Sequence, residues 1–258
     1  MENFLKIAIS AAEKAGEIQR SKVYGNVGIS FKGENNLVTE VDKESEKLIV
    51  GIIKEAFPDH DILAEENSYN FLGSRYKWII DPLDGTTNFA HGFPWFAVSI
   101  ALEMDKEVVL GVVYHSMMKE MFTAIKGKGA YCNGNKIKVS DHTPLKSSLL
   151  ATGFPYDRTW KNENNFKNFL NFQMAARGVR RTGSAALDLA CVAAGRLDGY
   201  WECKLNPWDV AAGKLLIEEA GGNVTDYSGK PYSIYDNHIL VSNGIIHKEM
   251  LEILANQE

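Results

Sequence analysis

The apolar positions of this chain change period several times, and each change marks an element. Over residues 4–20, Phe4, Ile7, Ala8, Ala11, Ala15 and Ile18 recur at helical spacing, which predicts an amphipathic helix. Residues 28–42 ("GISFKGENNLVTEVD") read as a strand, a polar loop and the entry to a second helix. That helix starts between Thr39 and Asp42 and keeps a clear period over 43–57. Apolar runs within 61–67 and 77–80 read as short strands, the first ending in acids. From 95 to 140 the pattern becomes one of hairpins. "FAVSIALEM" turns at Asp105-Lys106 into "EVVLGVVYH", then comes "EMFTAIKGKGAY", then Asn133-Gly134 and "KIKVS". Asn-Gly between strand-like runs is the strongest short hairpin signal.

After about residue 144 strands and helices alternate, as in a parallel or mixed sheet. "SSLLATGF", "VRRTG", "LDGYWE" and "HILVSN" read as strands. Residues 163–177, "SAALDLACVAAG", "DVAAGKLLIEEAGG" and "IIHKEMLEIL" read as helices, the third stopped by Gly221-Gly222. The chain thus divides into an α+β half with an antiparallel sheet, 1–143, and an α/β half with a mixed or parallel sheet, 144–258. No repeat or low-complexity linker separates them.

Composition narrows the class. With 258 residues the chain can build one large domain or two small ones. A hydrophobic share of 45% and a charged share of 24% fit an ordinary globular protein. The net charge of −5 argues against a general nucleic-acid binder, and the basic run Arg177–Arg181 reads as a solvated face. Cysteines 132, 191 and 203 form no CxxC, so reduced thiols in or near the core are expected. The first residues lack the unbroken apolar stretch of a signal peptide, and no run approaches membrane-spanning length. A cytoplasmic protein is the expectation.

The candidate chemistry lies in acids at strand ends and helix starts: Asp42, Glu65, Glu66, Asp81, Asp84 and Asp209. Singly, each reads as well as a helix cap or a turn residue. Together, an all-oxygen set without histidine pairs or thiolates suits a hard cation, chiefly Mg²⁺. Asp81 and Asp84 flank Pro82 in "DPLDGTT". A turning chain lets both carboxylates and the Leu83 carbonyl converge. Gly85 then lets backbone approach a ligand, and the N–H groups of Gly85 and Thr86 open the next helix as an anion seat. A cation beside an anion is what phosphate-ester hydrolysis needs.

"WIIDPLDGTTNF" (78–89) and "PWDVAAGKLLIEEAGG" (207–222) resemble the two signatures of the inositol monophosphatase family, magnesium-dependent and lithium-sensitive phosphatases. "AEEN" (64–67), "NLVTEVD" (36–42) and "RRTGSAALDLACVAAGRLDGYWE" (180–202) extend the resemblance over nearly the whole chain. "ATGFPYDR" (151–158) is similar to the bacterial and archaeal branch. The resemblance implies a layered αβαβα sandwich, shared with fructose-1,6-bisphosphatase, with most metal ligands on the first half and the substrate wall on the second. It implies two to three Mg²⁺ ions: a first on Glu65, Asp81 and the Leu83 carbonyl, a second on Asp81, Asp84 and Asp209, and a weaker third near Glu65. Gly85 and Thr86 would hold phosphate. Thr86, oriented by Asp42, would align the attacking water, with Glu65 or the Thr86–Asp42 pair taking its proton. Lys32 reads either as a neighbour of this site or as a solvated loop lysine.

The resemblance also ranks substrates. Glu202 stands where the family's inositol phosphatases carry a glutamate that bonds sugar hydroxyls. Gly183, Ser184 and Ala185, with Asp84 and Asp209, would line the ring. Myo-inositol 1-phosphate is therefore the expected substrate. Fructose 1,6-bisphosphate is the alternative, with Arg158 or Lys161 meeting a second phosphate, and 3′-phosphoadenosine 5′-phosphate is another. A regulatory role on the same fold, binding RNA or protein, is the reading from a different class. Homodimers are the family's common state.

Overall fold

The computed structural model describes residues 1–25, 28–32, 36–156 and 164–255. In chain order its first elements are α1 (Glu2–Lys22), β1 (Ile29–Lys32), β2 (Asn36–Thr39), α2 (Glu40–Ala56), β3 (Asp61–Ala64), β4 (Tyr76–Asp84) and α3 (Thr86–Ala90). The hairpin region holds β5 (Ala97–Met104), β6 (Glu107–His115), β7 (Glu120–Ile125), β8 (Gly129–Cys132) and β9 (Asn135–Lys136). There follow β10 (Leu149–Thr152), α4 (Phe166–Ala175), β11 (Gly178–Arg180), α5 (Ala185–Ala193), β12 (Gly199–Cys203), α6 (Pro207–Glu219), β13 (Asn223–Thr225), β14 (His238–Ser242) and α7 (His247–Ala255).

β3 through β9 form one sheet in sequence order. Every neighbouring pair in it is antiparallel except β3 and β4, which run parallel. Alternation along each strand sorts side chains onto two covered faces. Trp78, Ile80, Val98, Ile100 and Leu102 pack with the alanines of α1 and with Ile49 and Ile53 of α2. Ile79, Ala97, Ala101 and Ala124 face the other way, toward α5 and α6. That face is lined with small residues, which lets α6 lie close to the strands.

The second sheet has the order β11-β10-β12-β14-β13. β10 is parallel to both neighbours, while β14 is antiparallel to β12 and β13, so the sheet is mixed. Tyr200, Ile239 and Val241 pack toward α5 and α6. Leu150, Trp201 and Leu240 pack with Phe172 of α4 and Met250 and Leu254 of α7 on the outside. The layers are α1/α2, seven strands, α5/α6, five strands, α4/α7, the αβαβα sandwich that the resemblance implies. Among the described residues no helix is long and apolar enough to cross a membrane.

Three details differ from the periodicity reading. "EMFTAIKGKGAY" covers two strands, β7 and β8, with Gly127 at positive φ in the turn between them and Gly129, also at positive φ, opening β8. "KIKVS" keeps only the end of a strand, since β9 stops at Lys136. β13 has three residues, too few to show a period.

Candidate active site

β4 does not end at Ile80 but continues through Asp81-Pro82-Leu83-Asp84. Its register against β5 slips there: Asp81 lies opposite Ser99 and Asp84 opposite Ala97. In a regular strand residues three apart point to opposite faces. The bulge supplies one extra residue and turns both carboxylates to one side. Asp209 reaches them from the first turn of α6, where its carboxylate accepts the Asn206 N–H at 2.7 Å. Oxygens of Asp81, Asp84 and Asp209 lie within 4.8 Å of one another.

The cluster is charged against itself. Burial, then the charges of Glu65, Asp84 and Asp209, holds Asp81 well above the usual carboxylate range. Burial and then Asp84 do the same for Asp209. Burial lifts Asp84 to about 6, although donors from Ser184 and Ala186 pull it back. A bound cation reverses this balance, because it favours the ionised forms. The donors are all oxygen, so the residues present fit a hard divalent ion.

The supports of the cluster are buried too. Asp81 accepts the Leu83 N–H at 3.0 Å, and Gln19 of α1 donates to the Pro82 carbonyl at 2.9 Å. Asp84 accepts the Ser184 hydroxyl at 2.5 Å and the Ala186 N–H at 2.8 Å. Asp42 serves twice. One oxygen accepts the Thr39 N–H at 2.8 Å and closes the capping box of α2, while the other faces the Thr86 hydroxyl at 2.9 Å. Burial raises the Asp42 carboxyl, and hydrogen bonds from Thr39 and Thr86 lower it again. The Thr86 oxygen also lies 3.1 Å from the Leu83 carbonyl. Gly85 enters α3 at φ 94°, where a Cβ would stand 3.0 Å from the Trp95 carbonyl oxygen. Only glycine meets both demands.

A cleft opens beside the cluster, lined by Asp84, Asp209, Gly183, Ser184, Ala185, Asp188 and Glu202, with Phe154, Tyr156 and Arg181 also on its wall. Glu202 is buried, and burial lifts its carboxyl to about 7 against the opposing effects of Tyr200 and Arg181. The Tyr200 hydroxyl hydrogen-bonds Glu202. At Gly153 a Cβ would collide with the Glu202 carboxylate, so the glycine leaves the space in which that acid sits.

A model of the inositol monophosphatase family matches residues 1–258. This chain belongs to that family. An inositol-1-monophosphatase from a Synechocystis species is 45% identical over 99% of this chain and 90% of its own length. A Nus factor SuhB from Pseudomonas aeruginosa is 42% identical over 97% of this chain and 95% of its own. The solved structure of inositol monophosphatase from Anabaena (Nostoc) sp. superposes with a TM-score of 0.90 at 45% identity, covering 98% of this chain and 96% of that one. Inositol monophosphatases are metal-dependent phosphoric monoester hydrolases, and the acid cluster provides this member with a place for a metal.

Of the site residues expected from the sequence, Asp81, Asp84, Asp209, Leu83, Gly85, Thr86 and Asp42 form one contiguous group. Glu65 follows β3, which is parallel to β4, and its charge reaches Asp81 and Asp209. Gly183, Ala185 and Glu202 stand on the cleft wall with Ser184, whose hydroxyl is committed to Asp84. The Lys32 side chain, Arg158 and Lys161 lie outside the described residues. Sequence reasoning missed Gly153, Tyr200, Asp188 and Arg181. Tyr200 sits two residues before Glu202 on one strand face, a period-two signal that points to it.

Proposed function

We propose that this inositol monophosphatase homologue hydrolyses myo-inositol 1-phosphate to inositol and phosphate. The observation that carries the reading is the cleft that the buried carboxylate of Glu202 shares with Asp84 and Asp209, beside Gly183, Ser184 and Ala185. Asp81, Asp84, Asp209, Glu65 and the Leu83 carbonyl would hold two to three Mg²⁺ ions. Bound there, magnesium neutralises charge on the phosphoryl oxygens and makes a nearby water easier to deprotonate.

The chain's own groups do the rest. The backbone N–H groups of Gly85 and Thr86 hold a phosphate oxygen. The Thr86 hydroxyl, kept at Asp42, lines up the attacking water, and Glu65 or the Thr86–Asp42 pair takes its proton. Glu202 accepts hydrogen bonds from ring hydroxyls beside the one from Tyr200, and a substrate lacking them forgoes those bonds. The family resemblance extends the reading to a lithium-inhibited, cytoplasmic homodimer.

A phosphate-release panel tests this. Inositol 1-phosphate should give the highest kcat/KM, ahead of fructose 1,6-bisphosphate and 3′-phosphoadenosine 5′-phosphate. A higher value for either competitor would replace the substrate. The relative named Nus factor SuhB keeps a second role in view, binding RNA or protein on the same fold. Failure of the pure protein to release phosphate from any panel member in magnesium would favour that role alone.

A further inference from the structure

One turn beyond Asp42, α2 carries a second buried acid. Glu46 is fully buried, and its carboxylate accepts three donors from the segment after β3. Its Oε2 takes the Glu66 N–H at 2.7 Å. Its Oε1 takes the Asn67 side-chain amide at 2.7 Å and the Tyr69 hydroxyl at 3.0 Å. That segment has no helix or strand of its own, and Asn67 is exposed. On the near side of Glu65, its own N–H donates to the Ile80 carbonyl at 3.3 Å. The peptide units flanking Glu65 are therefore tied to β4 on one side and to α2 on the other.

We propose that Glu46 is a positioning residue for the cation site, fixing the direction from which Glu65 enters it. The inference rests on the reading above that Glu65 helps to hold magnesium. An acid buried in an apolar layer costs free energy that an apolar side chain in the same place would not. Its three acceptor contacts all go to the residues directly after Glu65. Residues four apart share one helix face. The face of α2 that orients Thr86 through Asp42 thus orients Glu65 through Glu46. One helix sets the mutual placement of the water-aligning hydroxyl and the first-ion carboxylate. Ligands held by such outer contacts typically lose about 10- to 100-fold in metal affinity when the contact is removed.

The test measures magnesium affinity by calorimetry and Tm in EDTA, neither of which needs turnover. Glu46→Gln leaves one acceptor oxygen for three donors. Should that variant fail to fold, the double change Asn67→Ala with Tyr69→Phe removes two of the donors from the loop side and decides alone. Glu65→Gln sets the scale. The expected result is an affinity loss of about 10- to 100-fold for Glu46→Gln and a smaller loss in the same direction for the double variant. At saturating magnesium kcat should return toward the wild-type value. A lowered Tm in EDTA with unchanged magnesium affinity would overturn the proposal and leave Glu46 a purely structural residue. If Glu65→Gln loses affinity while both other variants keep it, the reading of Glu65 stands and only the inference falls. If the wild type binds no magnesium, both fall.

Discussion

The two ends of α6 treat acidic side chains in opposite ways. At its C-terminal end a wide cleft of about 980 Å³ is lined by Glu103, Glu107, Glu218 and Glu219. Each of these has a partner within the protein. Lys77 pairs with Glu103 at 2.7 Å, Lys214 with Glu218 at 2.6 Å, and Lys126 with Glu107. Glu219 accepts the N–H groups of Gly127 and Gly129. At the N-terminal end Asp209 meets Asp81 and Asp84, and the strongest charges on Asp81 are other carboxylates. Acids balanced by lysines are finished structure. Acids gathered against one another await a cation from outside. Under the proposed function the smaller cleft is the chemical one, and size alone would point to the other end of the helix.

The comparison breaks most sharply at Asp209. Asp209→Asn keeps a carbonyl oxygen for the Asn206 N–H but removes a charge from the cluster. Turnover should fall by more than about a thousandfold, as loss of several kcal/mol of transition-state stabilisation requires, with the circular dichroism spectrum unchanged. Near-normal turnover at saturating magnesium would sink the cluster as the cation site.

Across the cleft, Glu202→Gln keeps the shape and removes the charge. Losing one charge-assisted hydrogen bond costs about 1.5–3 kcal/mol, so kcat/KM on inositol 1-phosphate should drop roughly tenfold to hundredfold. p-Nitrophenyl phosphate has no ring hydroxyls and should lose much less. Equal losses on the two substrates would make Glu202 a support of the chemistry rather than a reader of the ring.

Charge imbalance also predicts a pH dependence at one end only. Burial raises Asp84 from 3.8 to about 6 and Glu202 from 4.5 to about 7. Between roughly pH 4 and 7 the folded protein thus binds more protons at these groups than the unfolded chain. The stability they contribute is present at low pH and is lost as pH rises through that window. In EDTA these two groups should therefore pull Tm down from pH 5 to 8, against the opposite pull of buried His115, which burial lowers to about 4. Magnesium, which binds the ionised cluster, should raise Tm least at pH 5 and most at pH 8, by several degrees at saturation. A magnesium shift independent of pH would argue that the cation binds elsewhere.

The smallest effect is expected at the balanced end. Glu107→Gln breaks an ion pair whose members are both about half exposed. It should change stability by less than about 1 kcal/mol in urea unfolding and leave the magnesium response untouched. A loss of magnesium affinity there would erase the distinction between the two ends.

Much of this molecule is legible before any coordinates. The helical period over 4–20, the hairpin turn at Asn133-Gly134 and the acids of "DPLDGTT" and "PWD" are local signals, written in residues that touch one another. Local patterning determined the elements, and the chemical types of the acids pointed to a hard-cation site. Tertiary structure alone decided how the elements combine. The slip between β4 and β5 that turns Asp81 and Asp84 to one side depends on the partner strand, which periodicity does not see. Ser184 lies a hundred residues from Asp84, so its commitment to that carboxylate is invisible in the chain. Glu202 is marked in the sequence only by the family resemblance, and Glu46 stands among the charged residues of a helix with nothing local to single it out. Both are buried, Glu46 against the segment after β3 and Glu202 on the cleft wall, because burial and direction come from packing between layers, and packing brings together residues that sequence keeps apart.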